Sequence, residues 1–269
     1  MQIISAKPIN NKKEKGRIPK HWYTLNNEPT EYLVKGNSKG TVGSVGTVGY
    51  QPYSEVIASN IAQFLGIPHV PYFLADASMF PLVKTYGIQH VSVCPKVGLK
   101  GYRLQTLYDY GNANGVKKNV EVIEFMEKRG MDLTLLYKML IFDALLGNPD
   151  RHADNIELFV PDNAIGQVHL APIIDNGESL LGGLPPLQLP LAGKPFLLDK
   201  AKPFYKRHKK QIQLVPENFL KGLDKESLYT NLLMCVEPLR PYLPPYRHHA
   251  ICQYLKWRIY YLEQVMEVE

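Results

Sequence analysis

Hydrophobic and polar positions divide this chain into a first third that reads as β-rich with one helix and a largely helical remainder. Short runs rich in β-branched, aromatic and aliphatic residues at Ile3–Ile9, Trp22–Leu25 and Glu31–Lys35 predict short strands around a polar, basic segment at Asn10–Lys20, the last of them ending in a lysine and stopped by Gly36. Residues 36–49 carry glycine at 36, 40, 43, 46 and 49, with small or β-branched residues between. That composition holds no regular element, and a mobile loop is expected there. Ile57, Ile61, Phe64 and Leu65 recur at helical spacing and predict a helix over Ser54–Leu65. Ser54 is placed to cap it, Glu55 falls in its first turn, and Gly66 sits just past its end. Val70–Ala77 and Ile88–Val93 read as strands, the second running into Cys94–Pro95, where proline ends ladder pairing.

Beyond residue 119 the period is that of helices. Val120–Lys128 is a short one, and Asp132–Leu146 is apolar around most of its circumference, which predicts a place at the centre of a lobe. Asn148–Pro149 ends it. Ile156–Val160 and Gln167–Leu170 alternate around a turn-rich segment and predict a hairpin. After a Pro/Gly-rich excursion at Gly182–Pro195, helices are expected over Pro203–Gln211, Lys225–Val236 and Tyr246–Val265. The fold class is therefore expected to be α+β with two lobes. The first is a small β-rich N-lobe with one helix, residues 1–97; the second is a larger, mostly helical C-lobe, residues 98–269.

Composition narrows the function classes. A chain of 269 residues can bury a substantial core. No apolar run approaches the roughly 20 residues that span a bilayer, and the N-terminus has no apolar h-region, so neither a transmembrane segment nor a Sec-type signal is expected. Cys94, Cys235 and Cys252 form no C-x-x-C pair, which disfavours a disulfide framework and a zinc knuckle. The expected compartment is the cytoplasm, with export by a non-Sec route as the alternative. The net charge of +6 gathers into two clusters, one at residues 12–20 and one at residues 200–210. No nucleic-acid motif accompanies either, so specific nucleic-acid binding is not expected.

The chemistry concentrates between Leu146 and Gly177. Asp150 and Asn155 stand in a D-x-x-x-x-N spacing, and Asp175-Asn176-Gly177 follows the predicted hairpin. Asn-Pro-Asp alone is a common turn signal. Two carboxylates and a carboxamide delivered by one loop–hairpin–loop are what a nucleotide-dependent phosphotransferase requires. One carboxylate orients or deprotonates the attacking hydroxyl; the carboxamide and the second carboxylate hold Mg²⁺ against the phosphates.

The order of parts resembles that of protein kinases, and within them the HipA-like Ser/Thr kinase family, including its short CtkA-type members. The resemblance rests on Tyr53-Ser54-Glu55 with Ala58 and Leu65-Gly66-Ile67-Pro68, on Asn148-x-Asp150-x-His152-x-x-Asn155, and on Ala171-Pro172-Ile173-Ile174-Asp175. It implies a two-lobed kinase fold and an ATP- and Mg²⁺-dependent kinase that phosphorylates Ser/Thr hydroxyls of proteins. Asp150 then corresponds to the catalytic aspartate, and Asn155 and Asp175 to the metal ligands. Lys35 corresponds to the strand lysine on the phosphates, with Glu55 as its acidic partner. Val93 and Cys94 would offer backbone groups to the adenine, and His152 would orient the loop. An antitoxin-like or host protein partner, and a role as bacterial toxin or effector, follow from the same resemblance.

The chain also departs from the family pattern. Asn176-Gly177 after Asp175 is closer to the D-F-G form of eukaryotic kinases, and D-R-H-x-x-N followed by I-D-x-G is similar to phosphoinositide kinases. Gly16 is the only glycine upstream of Lys35, so the usual glycine-rich phosphate loop is absent. Phosphate cradling is expected from residues 10–20 or from the glycine-rich loop after Lys35, whose Ser38, Thr41, Ser44 and Thr47 are candidate autophosphorylation sites. Two alternatives stand beside the protein-kinase reading. One is a phosphoinositide or small-molecule kinase that holds an anionic head group on residues 200–210; the other is a non-catalytic, kinase-like binding module.

Overall fold

The computed structural model describes residues 2–9, 17–39, 48–163, 166–184, 199–219 and 225–266. Among these, the N-terminal part builds a five-stranded antiparallel sheet in the order β1-β2-β3-β5-β4. Its strands are β1 (Ala6–Pro8), β2 (Lys20–Leu25), β3 (Glu31–Lys35), β4 (Phe73–Asp76) and β5 (His90–Pro95). One face of the sheet buries Tyr23, Leu25, Val34, Val91 and Val93 around Phe80 in a small core of its own. Strand alternation then sends Leu33 and Lys35 to the opposite face. There Leu33 packs on the main core of the protein. Register places Lys20 of β2 directly opposite Lys35 of β3.

Helix α1 (Gln51–Phe64) crosses that second face, and it starts three residues earlier than the periodicity suggested. Pro52 occupies its first turn, where a missing N–H costs no helical bond. Tyr50 precedes the helix without a side-chain cap bond, and its backbone N–H donates to the Gly182 carbonyl at 2.7 Å. Ser54 is therefore not a cap, and Glu55 lies beyond the first turn, only 1% exposed. The helix dipole does not explain that acid; its partner must.

The apolar core does not divide at residues 97 and 98. Ile57, Ala58 and Ile61 of α1 join the same buried cluster as Leu136, Leu140 and Phe142. Polar bonds reinforce the join: Asn60 donates to the Cys235 carbonyl at 3.1 Å, and Val70 and Ile173 pair through the bonds Val70 N to Ile173 O and Ile173 N to Pro68 O, each 3.0 Å. The helix that carries Glu55 is thus fixed to both halves of the chain.

The C-terminal part contains α2 (Leu107–Ala113), α3 (Asn119–Lys128), α4 (Thr134–Leu146), α5 (His208–Ile212), α6 (Lys225–Val236) and α7 (Pro245–Met266). The expected hairpin is present as β7 (Glu157–Pro161) and β8 (His169–Leu170), with a third strand, β6 (Tyr102–Thr106), on its other edge. Neither β6 nor α2 was expected from the hydrophobic pattern, because β6 is a partly exposed strand without strong alternation. The helix expected over Pro203–Gln211 shrinks to α5. The side-chain carbonyl of Gln211 accepts from Phe204 N at 3.0 Å and Tyr205 N at 3.4 Å, which fixes those residues as loop. Among the described residues no helix is long and apolar enough to cross a membrane.

Candidate active site

Lys35, Glu55 and Asp175 come from three separate elements and meet in one ion cluster. Lys35 Nζ lies 2.8 Å from Glu55 Oε1 and 2.9 Å from Asp175 Oδ1. The lysine and Glu55 are buried, whereas the Asp175 side chain retains 32% exposure. Burial pulls the Lys35 ammonium down, but Asp175 and Glu55 outweigh it and hold the group well above its ordinary range. Burial pushes the Asp175 carboxyl up; contact with Lys35 overcomes this, helped by Lys20 and Arg151, and holds it well below the carboxylate range. Burial also raises Glu55, against the pull of Lys35. Glu55 Oε2 accepts from Asn176 N at 2.7 Å, so α1 fixes the lysine and the segment after Asp175 with one carboxylate.

Asp150 and Asn155 sit on the loop that follows α4. Gly147 ends the helix in the left-handed region at φ +61°, and a Cβ there would lie 1.8 Å from the Tyr254 hydroxyl oxygen. Only glycine fits both demands. The loop then folds on itself. Asn148 Oδ1 accepts from Asp150 N at 3.0 Å, Asp150 O accepts from His152 N at 2.8 Å, and Asn155 Nδ2 donates to Asp150 O at 3.3 Å. His152 Nδ1 is 3.5 Å from Asp154 Oδ2. Asp150 Oδ1 meets Lys202 Nζ at 2.7 Å, and both side chains are about two-fifths exposed, 42% and 41%.

Arg151 was not singled out from the sequence, yet it ties the site together. It is completely buried and donates through Nε and Nη2 to the two oxygens of Asp143 in α4, each at 3.0 Å. Nη2 also reaches Asn176 Oδ1 at 2.5 Å. Nη1 addresses the carbonyls of Ile174, of Asp175 at 3.4 Å and of Asn155 at 3.5 Å. One guanidinium therefore spaces the Asn155 loop against the Asp175 segment. Asp175 itself has φ +58°, a strained conformation for a non-glycine residue. The available signal was Asp143, the one acid of a mostly apolar helix, eight residues before the arginine.

A cleft of about 520 Å³ collects Lys35, Asp150, Asn155 and Asp175, with His152 and Asp154 also in its lining. Arg17, Ile18 and Lys20 also line it, so the basic end of the N-terminal segment faces the same space. Val93 and Cys94 do not line this cleft. Val93 is central in the sheet, paired with Val34 on one side and Phe73 on the other, and Cys94 pairs with Leu33. Burial pushes the Cys94 thiol up to about 11, which leaves it protonated and unreactive. Thr41, Ser44 and Thr47 lie outside the described residues. Ser38 is held, its hydroxyl accepting from Gln51 Nε2 at 2.8 Å. Asn37 joins the two ends of the glycine-rich segment by donating to the Gly49 carbonyl at 2.8 Å, and it also donates to the Tyr86 carbonyl at 2.8 Å.

No family model matches the chain, and no curated protein matches it in sequence. Solved structures do. The chain is similar to the Helicobacter pylori proinflammatory kinase CtkA, with a TM-score of 0.60 at 16% identity over 100% of both chains. It is also similar to HipA of Shewanella oneidensis MR-1, solved with HipB and operator DNA, with a TM-score of 0.51 at 12% identity over 96% of this chain and 67% of that one. The fold is thus the two-lobed, α+β fold of HipA- and CtkA-like kinases.

Proposed function

We propose that this protein is an ATP- and Mg²⁺-dependent Ser/Thr protein kinase of the HipA-like type. The observation that carries the reading is Lys35 held between Glu55 and Asp175 in a cleft that also contains Asp150 and Asn155. A buried lysine paired with a helix acid is the arrangement that positions nucleotide phosphates. Lys20, opposite Lys35 in register, and Arg17 add positive charge to the same cleft and would take the place of a glycine-rich phosphate loop.

The donor set fits Mg²⁺. Asp175 is ionised and partly exposed, and the bond from Asn155 Nδ2 to Asp150 O leaves the Asn155 carbonyl oxygen as its hard donor. Bound there, the ion would neutralise charge on the phosphate oxygens. Asp150 is the group placed to accept or orient the hydroxyl proton of the acceptor. His152 shapes the loop through its backbone bonds to Asp150 and Asn155 and is read as a structural residue. The glycine-rich segment closed by Asn37 is the proposed site of autophosphorylation, and the cytoplasm is the proposed compartment.

A phosphoinositide kinase is the second reading, favoured by Lys202 standing directly on Asp150. Incubation with γ-labelled ATP, Mg²⁺, lysate protein and phosphoinositide vesicles separates the two. The protein-kinase reading expects phosphoserine or phosphothreonine in wild-type samples and none with Lys35→Met. Label confined to lipid would transfer the assignment to the second reading.

A further inference from the structure

A second cavity of about 520 Å³ adjoins the first and shares Asp150, Arg17 and Glu178 with it. From this arrangement, and resting on the phosphotransferase reading, we infer that the second cavity is the acceptor site. We further infer that it selects a peptide hydroxyl residue flanked by an acidic side chain.

In-line transfer places the attacking oxygen on the side of the phosphorus away from the leaving oxygen. An acceptor must therefore reach Asp150 from outside the nucleotide cleft, and the second cavity supplies that approach. There the acceptor oxygen forms its bond to the γ-phosphorus. The bond from that phosphorus to the β,γ-bridging oxygen breaks, and its electron pair leaves with ADP. The hydroxyl proton passes to the Asp150 carboxylate.

The walls define the substrate class. Lys200 and Lys202 face the cavity, and between them Ala201 is buried at 2% exposure, the alternation of an extended segment. That segment is braced. Ala201 N donates to Lys206 O at 3.0 Å, His208 N donates to Asp199 O at 3.0 Å, and the Tyr261 hydroxyl bonds Asp199. The two ammonium groups are thus presented from a fixed backbone. The carboxylates of the cavity are already matched, Glu178 by Arg17 at 2.8 Å and Asp150 by Lys202 at 2.7 Å. Among the described residues, Lys200 is left as the surplus cation of the cavity.

Pro149, Leu181 and Leu184 give the wall an apolar part. Among the described residues, one surplus lysine undermatches the charge of an inositol ring with phosphates. A peptide offers both parts, an aliphatic or small residue against the leucines and a carboxylate to the lysines. The Lys202 contact gives the acid a second effect. A substrate carboxylate that takes Lys202 frees Asp150 Oδ1 for the incoming hydroxyl.

The test is a pair of serine peptides, one with Asp or Glu beside the acceptor and one with Lys. Each is phosphorylated by the wild type, by Lys200→Glu and by Lys202→Gln. The readout is the ratio of kcat/KM for the two peptides within one enzyme, so general losses of folding or nucleotide use cancel. Wild type is expected to favour the acidic peptide, and Lys200→Glu to shrink that ratio about three- to tenfold. Lys202→Gln is expected to shrink it in the same direction. An unchanged ratio in both variants, a wild-type preference for the Lys peptide, or faster labelling of phosphoinositide vesicles than of either peptide would overturn the assignment. ATP turnover without phosphorylation of either peptide would overturn it while sparing the kinase reading; absence of ATP turnover in wild type would remove both.

Discussion

The Arg151 guanidinium and the Asp143 carboxylate face each other through two hydrogen bonds of 3.0 Å, with both side chains fully buried. The pair joins α4, the most apolar helix of the C-terminal part, to the loop that carries Asp150. Its remaining donors hold the segment around Asp175. Burial pushes the Asp143 carboxyl up against the opposing pull of Arg151. The pair is therefore a device for position more than for net stability.

Breaking the pair from one side leaves an uncompensated buried charge. Asp143→Ala is expected to cost about 3–5 kcal/mol, and the double variant Asp143→Leu/Arg151→Met to regain much of that stability without regaining phosphotransfer. Urea unfolding with a parallel activity assay checks both. A double variant no more stable than Asp143→Ala would show that the charges do not offset one another.

The Lys35–Asp175 pair predicts a pH signature. An acid with a depressed folded pKa gives stability that is present above its unfolded value, about 3.9, and is lost as pH falls through the folded one. A lysine with a raised folded pKa gives stability that is present below about 10.4 and is lost as pH rises through its folded value. The stability difference between wild type and Lys35→Met should hold between about pH 5 and pH 9 and shrink beyond either end. A difference that grows on acidification below about pH 4 would contradict the pairing.

Gly147→Ala combines a left-handed backbone with a collision, because the new Cβ would lie 1.8 Å from the Tyr254 hydroxyl oxygen. Gly115 has φ +76° and open space around it, so Gly115→Ala isolates the backbone effect. We expect about 1 kcal/mol for Gly115→Ala and about 2–4 kcal/mol for Gly147→Ala, measured by chemical denaturation. Only the second should also depress phosphotransfer, since Asp150 follows three residues later. Equal costs would mean that Tyr254 yields without penalty.

Much of the fold was legible because its signals are local. A short run of β-prone residues closed by Gly36 marked β3 at Glu31–Lys35, and helical periodicity marked α6 at Lys225–Val236. The spacing of Asp150, Asn155 and Asp175 pointed to one site, and the cleft does bring the three together. What was missed depends on contacts made at a distance. The start of α1 follows from Pro52 and the bond between Tyr50 and Gly182, not from Ser54. Strand β6 exists because β7 offers it an edge. Arg151 is one more charged residue in the sequence, and only the fold buries it against Asp143. Lys202 lies 52 residues from Asp150 in sequence, and no local pattern joins them.

Transfer of label from γ-labelled ATP to protein is the most direct test of the kinase assignment. Wild type is compared with Asp150→Ala and Asp175→Ala, with and without excess chelator, after circular dichroism shows that all three are folded. Wild type with Mg²⁺ is expected to label protein on Ser or Thr. Each variant is expected to fall by about 10²-fold or more, and chelation to abolish transfer until Mg²⁺ is restored. Equal counts in wild type and both variants, unaffected by chelation, would contradict it.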